Sequence, residues 1–372
     1  MIGRMADPWD FTQNPEFPKR IAITLAALAI YRLGTWIPLA GVDPNVLVQH
    51  AGESFSGSAR AHGSILALGV VPLLSAAILA EVAMTLWPKA RAWAGTPRGC
   101  TRLAVGVVLV ALLLAALQAY GIATAFEAMP GLVAEPGGGF HTSTVVSLVA
   151  GTALVAALAS SVTHAGVGGG LWVLLAATHI DALVNDTLGH LVLMAQGALT
   201  GSAVVAHLAI SLGALALAVA VLAALIKATP RLSDPDELIW VPLLGSTLAG
   251  WVLGAVALLQ WLLLPAGAPD LAALVATHAL PPLLALAFAV VVLLRRRSLA
   301  AGSSLRVAAA APVILALSGL LALSYAIPAL TSGGLHLPNP ASTLVLAAVG
   351  LMVLENLRQS SQLTRAADPL SS

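Results

Sequence analysis

The chain has 372 residues, of which 59% are hydrophobic and only 9% are charged, and its mean hydropathy is +0.95. Because a soluble domain carries about 25% charged residues, this composition excludes a water-soluble globular protein. The 17 Lys and Arg residues nearly balance the 16 Asp and Glu residues, so the net charge of +1 provides no field that would hold nucleic acid. The single cysteine, Cys100, excludes an internal disulfide.

The apolar runs continue for about 20 residues, which is the length of helix that crosses roughly 30 Å of hydrocarbon. They lack the alternation of a transmembrane β-strand, so the sequence predicts an all-α polytopic membrane protein. No signal peptide with a cleavage site precedes the first run, which is therefore expected to be retained. Boundaries at Pro, Gly and charged residues predict about ten transmembrane helices, at 21–37, 64–86, 103–125, 143–162, 171–188, 204–226, 238–264, 271–294, 307–327 and 343–357. The pair Pro281 and Pro282 is expected to break the eighth span.

The placement of positive charge predicts the orientation of these spans. With the exceptions of Arg32 and Arg60, all Lys and Arg residues fall on one side of the membrane, at the termini and in the loops after the second, sixth and eighth spans. Short cytoplasmic loops collect Lys and Arg, so both termini are expected to be cytoplasmic. The predicted organisation is a cytoplasmic segment (1–20), two pseudo-symmetric five-helix halves (21–195 and 196–360) and a cytoplasmic tail (361–372).

Motifs of enzymes are missing from the sequence. None of the three lysines stands in a Walker pattern, and neither G-x-S-x-G nor H-E-x-x-H occurs. We therefore expect no enzymatic activity, no cofactor and no metal site. The group His179, Asp181, Asp186 and His190 is compatible with a metal or proton relay, but a hydrated position toward the outer end of a short helix is the favoured interpretation.

Two charged residues fall inside apolar spans, where a lipid-facing charge costs several kcal/mol. Arg32, in the first span, is expected to pair with a neighbouring helix or to cap broken backbone rather than to take part in transport. Glu81, in the second span, is expected either to line a hydrated path or to pair with a cytoplasmic arginine. Both side chains should face protein or water.

Five blocks of sequence resemble, in order and spacing, the SecY family, whose members form the central channel of the bacterial protein translocase. Residues 14–44 read NPEFPKRIAITLAALAIYRLGTWIPLAGVDP, and residues 55–79 read FSGSARAHGSILALGVVPLLSAAIL. Residues 117–127 read LQAYGIATAFE, residues 163–171 read THAGVGGGL, and residues 354–363 read LENLRQSSQL. The blocks are densest before residue 180, while residues 200–335 match the family mainly in the number of spans.

The resemblance implies a passive, partner-driven, protein-conducting channel subunit. It would export unfolded, signal-peptide-bearing polypeptides across the bacterial plasma membrane or insert them into its lipid bilayer. The implied partners are small SecE-like membrane subunits and also SecG-like ones. The loops 229–237 and 295–306 are much shorter than the family's protrusions, which argues against docking of the motor SecA or the ribosome and marks the chain as a divergent member.

The resemblance also implies which residues seal the channel. Apolar side chains suit a pore ring because they offer a moving peptide no hydrogen bond and seal an empty pore by dewetting. The implied ring positions are Val70, Leu74, Leu171, Leu175, Trp251 and Ala348. The implied plug is the small-residue segment Phe55, Ser56, Gly57, Ser58, Ala59 and Arg60. Trp251 would narrow such a pore.

Two other functions stay open at this point. A SecY paralogue that no longer conducts and acts as a structural or assembly partner is suggested by the short loops and by the bulk of Trp251. An inverted-repeat transporter of small solutes would need polar residues converging at mid-depth. Gln118, His207 and Gln260 are isolated in the sequence, which argues against the transporter.

Overall fold

The computed structural model describes residues 16–51, 62–228 and 280–299, together with single residues and short runs within 240–263 and 346–353. Across these ranges the secondary structure is helical, with two isolated β-bridges between single residues. The helices are α1 (Glu16–Gly34), α2 (Pro44–Ala51), α3 (Val71–Leu86), α4 (Pro88–Ala94), α5 (Pro97–Glu127), α6 (Gly138–Ala165), α7 (Gly170–Ala195), α8 (Gly201–Ala228) and α9 (Leu280–Leu299). A shorter apolar helix covers Leu243–Val252.

Length and composition qualify two helices of the described ranges, α5 and α6, as candidate membrane spans. Helices α3 and α4 together make a third candidate if they form one span, although the chain bends by 119° between them. The chain is an all-α polytopic membrane protein. The number of ten spans stays a prediction, because the ninth predicted span and parts of the seventh, eighth and tenth lie outside the described residues.

The chain divides into two compact units. The first unit comprises Met1–Ala80, Ala94–Leu199 and Met352–Ser372, and the second comprises Glu81–Trp93 and Thr200–Leu351. The predicted organisation into two five-helix halves with terminal segments stays a prediction.

Close contact between α5 and α6 forms the main helix pair of the first unit. Four alanines spaced by four residues on α5 have no solvent exposure: Ala111, Ala115, Ala119 and Ala123. The facing helix α6 buries Leu148, Val155 and Val162 completely. Small side chains at i, i+4 positions let two helix backbones approach closely, which stabilises helix pairs where lipid provides no hydrophobic driving force.

The segment 64–70 leads into α3 and crosses directly over α6. The backbone N–H of Ile65 donates to the carbonyl oxygen of Ile37 at 3.0 Å, and that of Leu39 donates to Gly63 at 2.9 Å. A Cβ atom on Gly151 of α6 would overlap the backbone carbonyl oxygen of Ile65, so only glycine fits at this crossing. The contact fixes the height at which α3 begins.

Most described helices extend a few residues beyond the predicted spans. The second predicted span is different, since residues 64–70 form turns and the helix begins only at Val71. Gly69 has a φ of +52°, a left-handed conformation that ends the turns, and Pro72 follows in the first helical turn.

Pro281 and Pro282 lie in the first turn of α9, where no intrahelical N–H donor is needed. Residues 271–279 lie outside the described residues, so the predicted break of the eighth span stays a prediction.

The motif Gly41-Val-Asp-Pro44 pairs with the loop between α5 and α6. The N–H of Asp43 donates to Leu132 O at 2.9 Å, and the N–H of Ala134 donates to Gly41 O at 3.1 Å. Gly41 needs its φ of +84° for this turn. The loop itself is held by Glu127, which accepts the N–H of Gly137 at 2.6 Å and lies 2.9 Å from His141 Nε2. The motif is therefore explained by backbone pairing.

We predict that Gly151→Ala lowers the free energy of unfolding by about 3 kcal/mol, because the new methyl group forces the 64–70 segment away from α6. The matched control is Gly121→Ala on α5, where a Cβ atom would meet no other heavy atom within 4 Å. Thermal unfolding of the detergent-purified variants measures both effects. Equal melting temperatures for the two variants would contradict the close crossing.

Candidate pore-lining site

Four of the six predicted ring residues lie in the first unit. Val70 is 1% exposed at the last position before α3, and Leu74 follows one turn later, half-buried, with its N–H donating to Val70 O at 2.9 Å. Leu175 of α7 is 7% exposed and Leu171, one turn earlier, is half-buried. Leu171 packs against the hydrophobic cluster that contains Val70. The structure thus places Val70 and Leu171 in one apolar cluster, whereas Leu74 and Leu175 are not part of it.

Threonine side chains shape the turn from which α7 starts. Thr163 Oγ1 accepts the N–H of Gly170 at 2.9 Å and donates to Ala159 O at 2.8 Å. Thr24 of α1 accepts the N–H of Val167 at 2.9 Å, so the turn is tied to α1 as well. These hydrogen bonds set the position of Leu171, the second residue of α7.

Glycines allow the same turn to pack tightly. A Cβ atom on Gly170 would overlap the carbonyl oxygen of Ala159, and Gly168 has a φ of +83°. No larger residue fits at Gly170 without displacing α6 or α7. The glycine-rich block at 163–171 is therefore explained by the tight connection between these helices.

Arg32 near the end of α1 forms an ion pair with Asp181 of α7. The guanidinium also lies over the Trp36 ring, 5.7 Å from its centroid. The expectation that Arg32 pairs with a neighbouring helix is confirmed. The predicted position of Asp181 toward the end of a short helix is wrong, because α7 continues to Ala195 and Asp181 lies near its middle.

Glu81 forms an ion pair with Arg91, at 2.5 Å between Oε1 and the guanidinium. The Glu81 side chain is only 10% exposed, whereas that of Arg91 is 38% exposed. The sharp bend between α3 and α4 brings the two residues together across ten positions of sequence. Of the two interpretations of Glu81, the structure shows the pairing with a predicted cytoplasmic arginine.

The other polar residues of α7 do not converge. His190 Nδ1 lies 2.6 Å from the carbonyl oxygen of Asp186, one turn earlier on the same helix, and Asp186 is exposed. Over the part of the chain that the structure describes, no group of three or more His, Cys, Asp or Glu residues could hold a metal ion. The structure places His179 half-buried, two residues before the Arg32 partner.

The remaining predicted site residues are less informative. Trp251 is 42% exposed and belongs to the second unit. Ala348 lies outside the described residues, and so do all six predicted plug residues, Phe55, Ser56, Gly57, Ser58, Ala59 and Arg60. The ring and the plug stay predictions.

Sequence reasoning missed three partners that the structure reveals. The pairing of Asp181 with Arg32 was detectable in principle, since an acidic and a basic residue in two predicted spans can neutralise each other. Thr24 and Thr163 gave no signal, because Thr is common in apolar helices and its local hydrogen bonds depend on the fold.

Comparison with known proteins finds sequence similarity to SecY over part of the chain. Residues 64–230 match the sequence profile of the SecY family, a range that begins just before α3 and includes α8. The protein translocase subunit SecY of Escherichia coli K12 is 34% identical over 182 residues, covering 45% of this chain and 41% of the relative. That of Thermus thermophilus is 32% identical over 180 residues, covering 44% and 41%.

The chain is similar to the SecY family over residues 64–230. It spans about half or less of the length of the curated SecY relatives it matches, from 41% to 51% for the Escherichia coli and Buchnera aphidicola proteins. A solved structure described as a protein conducting channel has the same fold, with a TM-score of 0.61 at 12% identity over 92% of both chains. Sec61 in the canine ribosome-channel complex gives a TM-score of 0.59 over the same shares.

We predict that Arg91→Gln destabilises the SecY-like chain because it leaves the buried Glu81 carboxylate without its guanidinium partner. The double variant Glu81→Gln/Arg91→Gln should recover part of the loss, with a coupling free energy of about 1–3 kcal/mol. Unfolding of the two single variants and the double variant, followed by tryptophan fluorescence in detergent, measures this coupling. Additive single effects would show that the pair contributes no coupling.

Proposed function

We propose that this chain is a SecY-like protein-conducting channel subunit, passive in itself and driven by partners. The observation that carries the proposal is the SecY match over 64–230, which contains the four ring residues of the first unit. The shared fold with a protein conducting channel over 92% of both chains supports it. The substrates are unfolded, signal-peptide-bearing polypeptides that are exported or inserted into the lipid bilayer.

The chemistry of the ring positions fits this role. Val70, Leu74, Leu171 and Leu175 carry only aliphatic groups, which form no hydrogen bond with a passing polypeptide and exclude water from a closed pore. The charges of Arg32 and Glu81 are each compensated by an oppositely charged partner. Neither residue therefore offers an isolated charge that would retain a substrate.

Location and partners belong to the same proposal. The distribution of Lys and Arg favours a multi-pass protein of the bacterial plasma membrane with both termini in the cytoplasm. Small SecE-like and SecG-like membrane subunits are the expected partners. The predicted loops 229–237 and 295–306 are short in sequence, and residues 295–299 belong to the end of α9. This shortness argues against docking of SecA or a ribosome there, and no enzymatic activity is expected of the chain itself.

Site-specific photocrosslinking tests the polypeptide path. A photoreactive residue at Leu74 or Leu175 should form adducts with an arrested, signal-bearing nascent chain in native membranes, because both positions are predicted to line the pore. The matched control is Leu109 on α5, a leucine of the same size that is 62% exposed on the outer face of a candidate span.

Adducts at both ring positions and none at Leu109 support a conducting channel. Equal yields at all three positions, or no adducts in folded protein, would contradict the proposal. The second of these results would favour the paralogue that does not conduct.

A further inference from the structure

Helix α1 is tied to the region around α7 at two levels. At the first level, Thr24 of α1 accepts the N–H of Val167 in the turn before α7. At the second level, Arg32 forms the ion pair with Asp181. The two residues of α1 are eight positions apart, or about 12 Å along the helix axis. All four residues belong to the first unit.

The predicted ring residues of α7 lie between these two ties. Leu171 follows the turn at Val167 by four positions, and Leu175 precedes Asp181 by six positions, or about 9 Å of helix. The α7 segment from 171 to 175 is therefore held at both ends by the same helix, α1. Loss of the Arg32–Asp181 contact would remove the contact with α1 beyond Leu175, while Thr24 and Thr163 would still hold the turn before Leu171.

The two ties differ in chemistry. The Thr24 contact is a neutral hydrogen bond to a backbone N–H, whereas the Arg32 contact joins two full charges on side chains that are 43% and 29% exposed. Arg32 and Asp181 fall within the predicted spans 21–37 and 171–188, where an unpaired charge is costly, so each charge favours the arrangement that keeps its partner close. Charge-assisted hydrogen bonds are also about twice as strong as neutral ones. The ion pair is therefore the stronger determinant of where α7 lies relative to α1.

We propose that the Arg32–Asp181 ion pair is a positioning clasp that holds Leu171 and Leu175 in the sealing position of the resting channel. The inference rests on the proposed function, since it gives the ion pair a part in closing the same pore. Arg32 and Asp181 act through α7 and need no contact with the substrate. Opening of the pore by a partner or a signal peptide would then require α7 to move against this clasp.

Two measurements test the clasp, one of position and one of sealing. Spin labels at Ile30 of α1 and Val184 of α7, both exposed, report the distance between the helices in a Cys100→Ala background. Ion leak from proteoliposomes that contain the resting protein reports sealing. The test variants are Arg32→Gln, Asp181→Asn and the swap Arg32→Asp/Asp181→Arg. The matched control is Asp186→Asn, which removes an exposed negative charge from the same helix.

Each neutral variant should shift or broaden the label distance and raise the leak by about tenfold, as expected for loss of one charge-assisted contact. The swap should restore both values toward wild type, and the control should change neither. If the neutral variants fail to fold, Arg32→Lys and Asp181→Glu, which keep the charges, should retain both the wild-type distance and the wild-type leak. The swap then provides the decisive comparison, because rescue by exchanged charges is not expected of a packing defect.

An unchanged spin-label distance in both neutral variants would contradict the proposed clasp. A swap variant that behaves like the single variants would contradict it as well. A changed distance with an unchanged leak would overturn its role in sealing. None of these results bears on the crosslinks from Leu74 and Leu175, which test the proposed function by themselves.

Discussion

Close contact between helix backbones is the constraint on which the first unit depends. Lipid tails are as apolar as the helix surfaces, so helices associate through tight packing rather than through the hydrophobic effect. The four fully buried alanines of α5 and the glycine at position 151 provide that packing. Because Gly151 lets the 64–70 segment cross directly over α6, it also determines where α3 starts. The positions of Val70 and Leu74 follow from this crossing.

A second constraint is that a charged group in apolar surroundings needs an oppositely charged partner. Arg32 and Asp181 join α1 to α7, and Glu81 and Arg91 join α3 to α4. A buried ion pair adds little net stability relative to well-packed apolar residues, but losing one partner is costly. Such pairs therefore specify an arrangement more than they stabilise it. This property suits a protein whose helices must be held in one state and moved to another.

The helical architecture of the described residues could be predicted because apolar length carries most of the signal. The predicted spans at 103–125, 143–162 and 204–226 lie wholly within α5, α6 and α8. Hydropathy did not predict the start of α3, since residues 64–70 are as apolar as the helix that follows. The boundary depends on the left-handed Gly69, on Pro72 and on the crossing at Gly151. Hydropathy also gives no warning of the bend at Trp87 between α3 and α4.

The candidate site, too, contains features that the sequence could predict and features that only the structure reveals. Val70, Leu74, Leu171 and Leu175 are predicted ring positions by the family resemblance alone, since each would otherwise count as an ordinary packing residue. The partner of Arg32 could be identified only from the three-dimensional structure, because Asp181 is 149 residues away in sequence. The polar residues near Asp181 on α7 suggested that Asp181 is hydrated, whereas the structure pairs it with Arg32 of α1. Long-range pairing of charges depends on helix order and rotation, which periodicity does not report.

The central claim is that a polypeptide passes through the chain beside Leu74 and Leu175. The most direct test is the structure, determined by electron cryomicroscopy in lipid nanodiscs, of the protein bound to an arrested, signal-bearing polypeptide. The account predicts extended polypeptide density within van der Waals distance of both leucines. Polypeptide density confined to the lipid-facing side of α5 near Leu109, with Leu74 and Leu175 still packed against the protein, would contradict it.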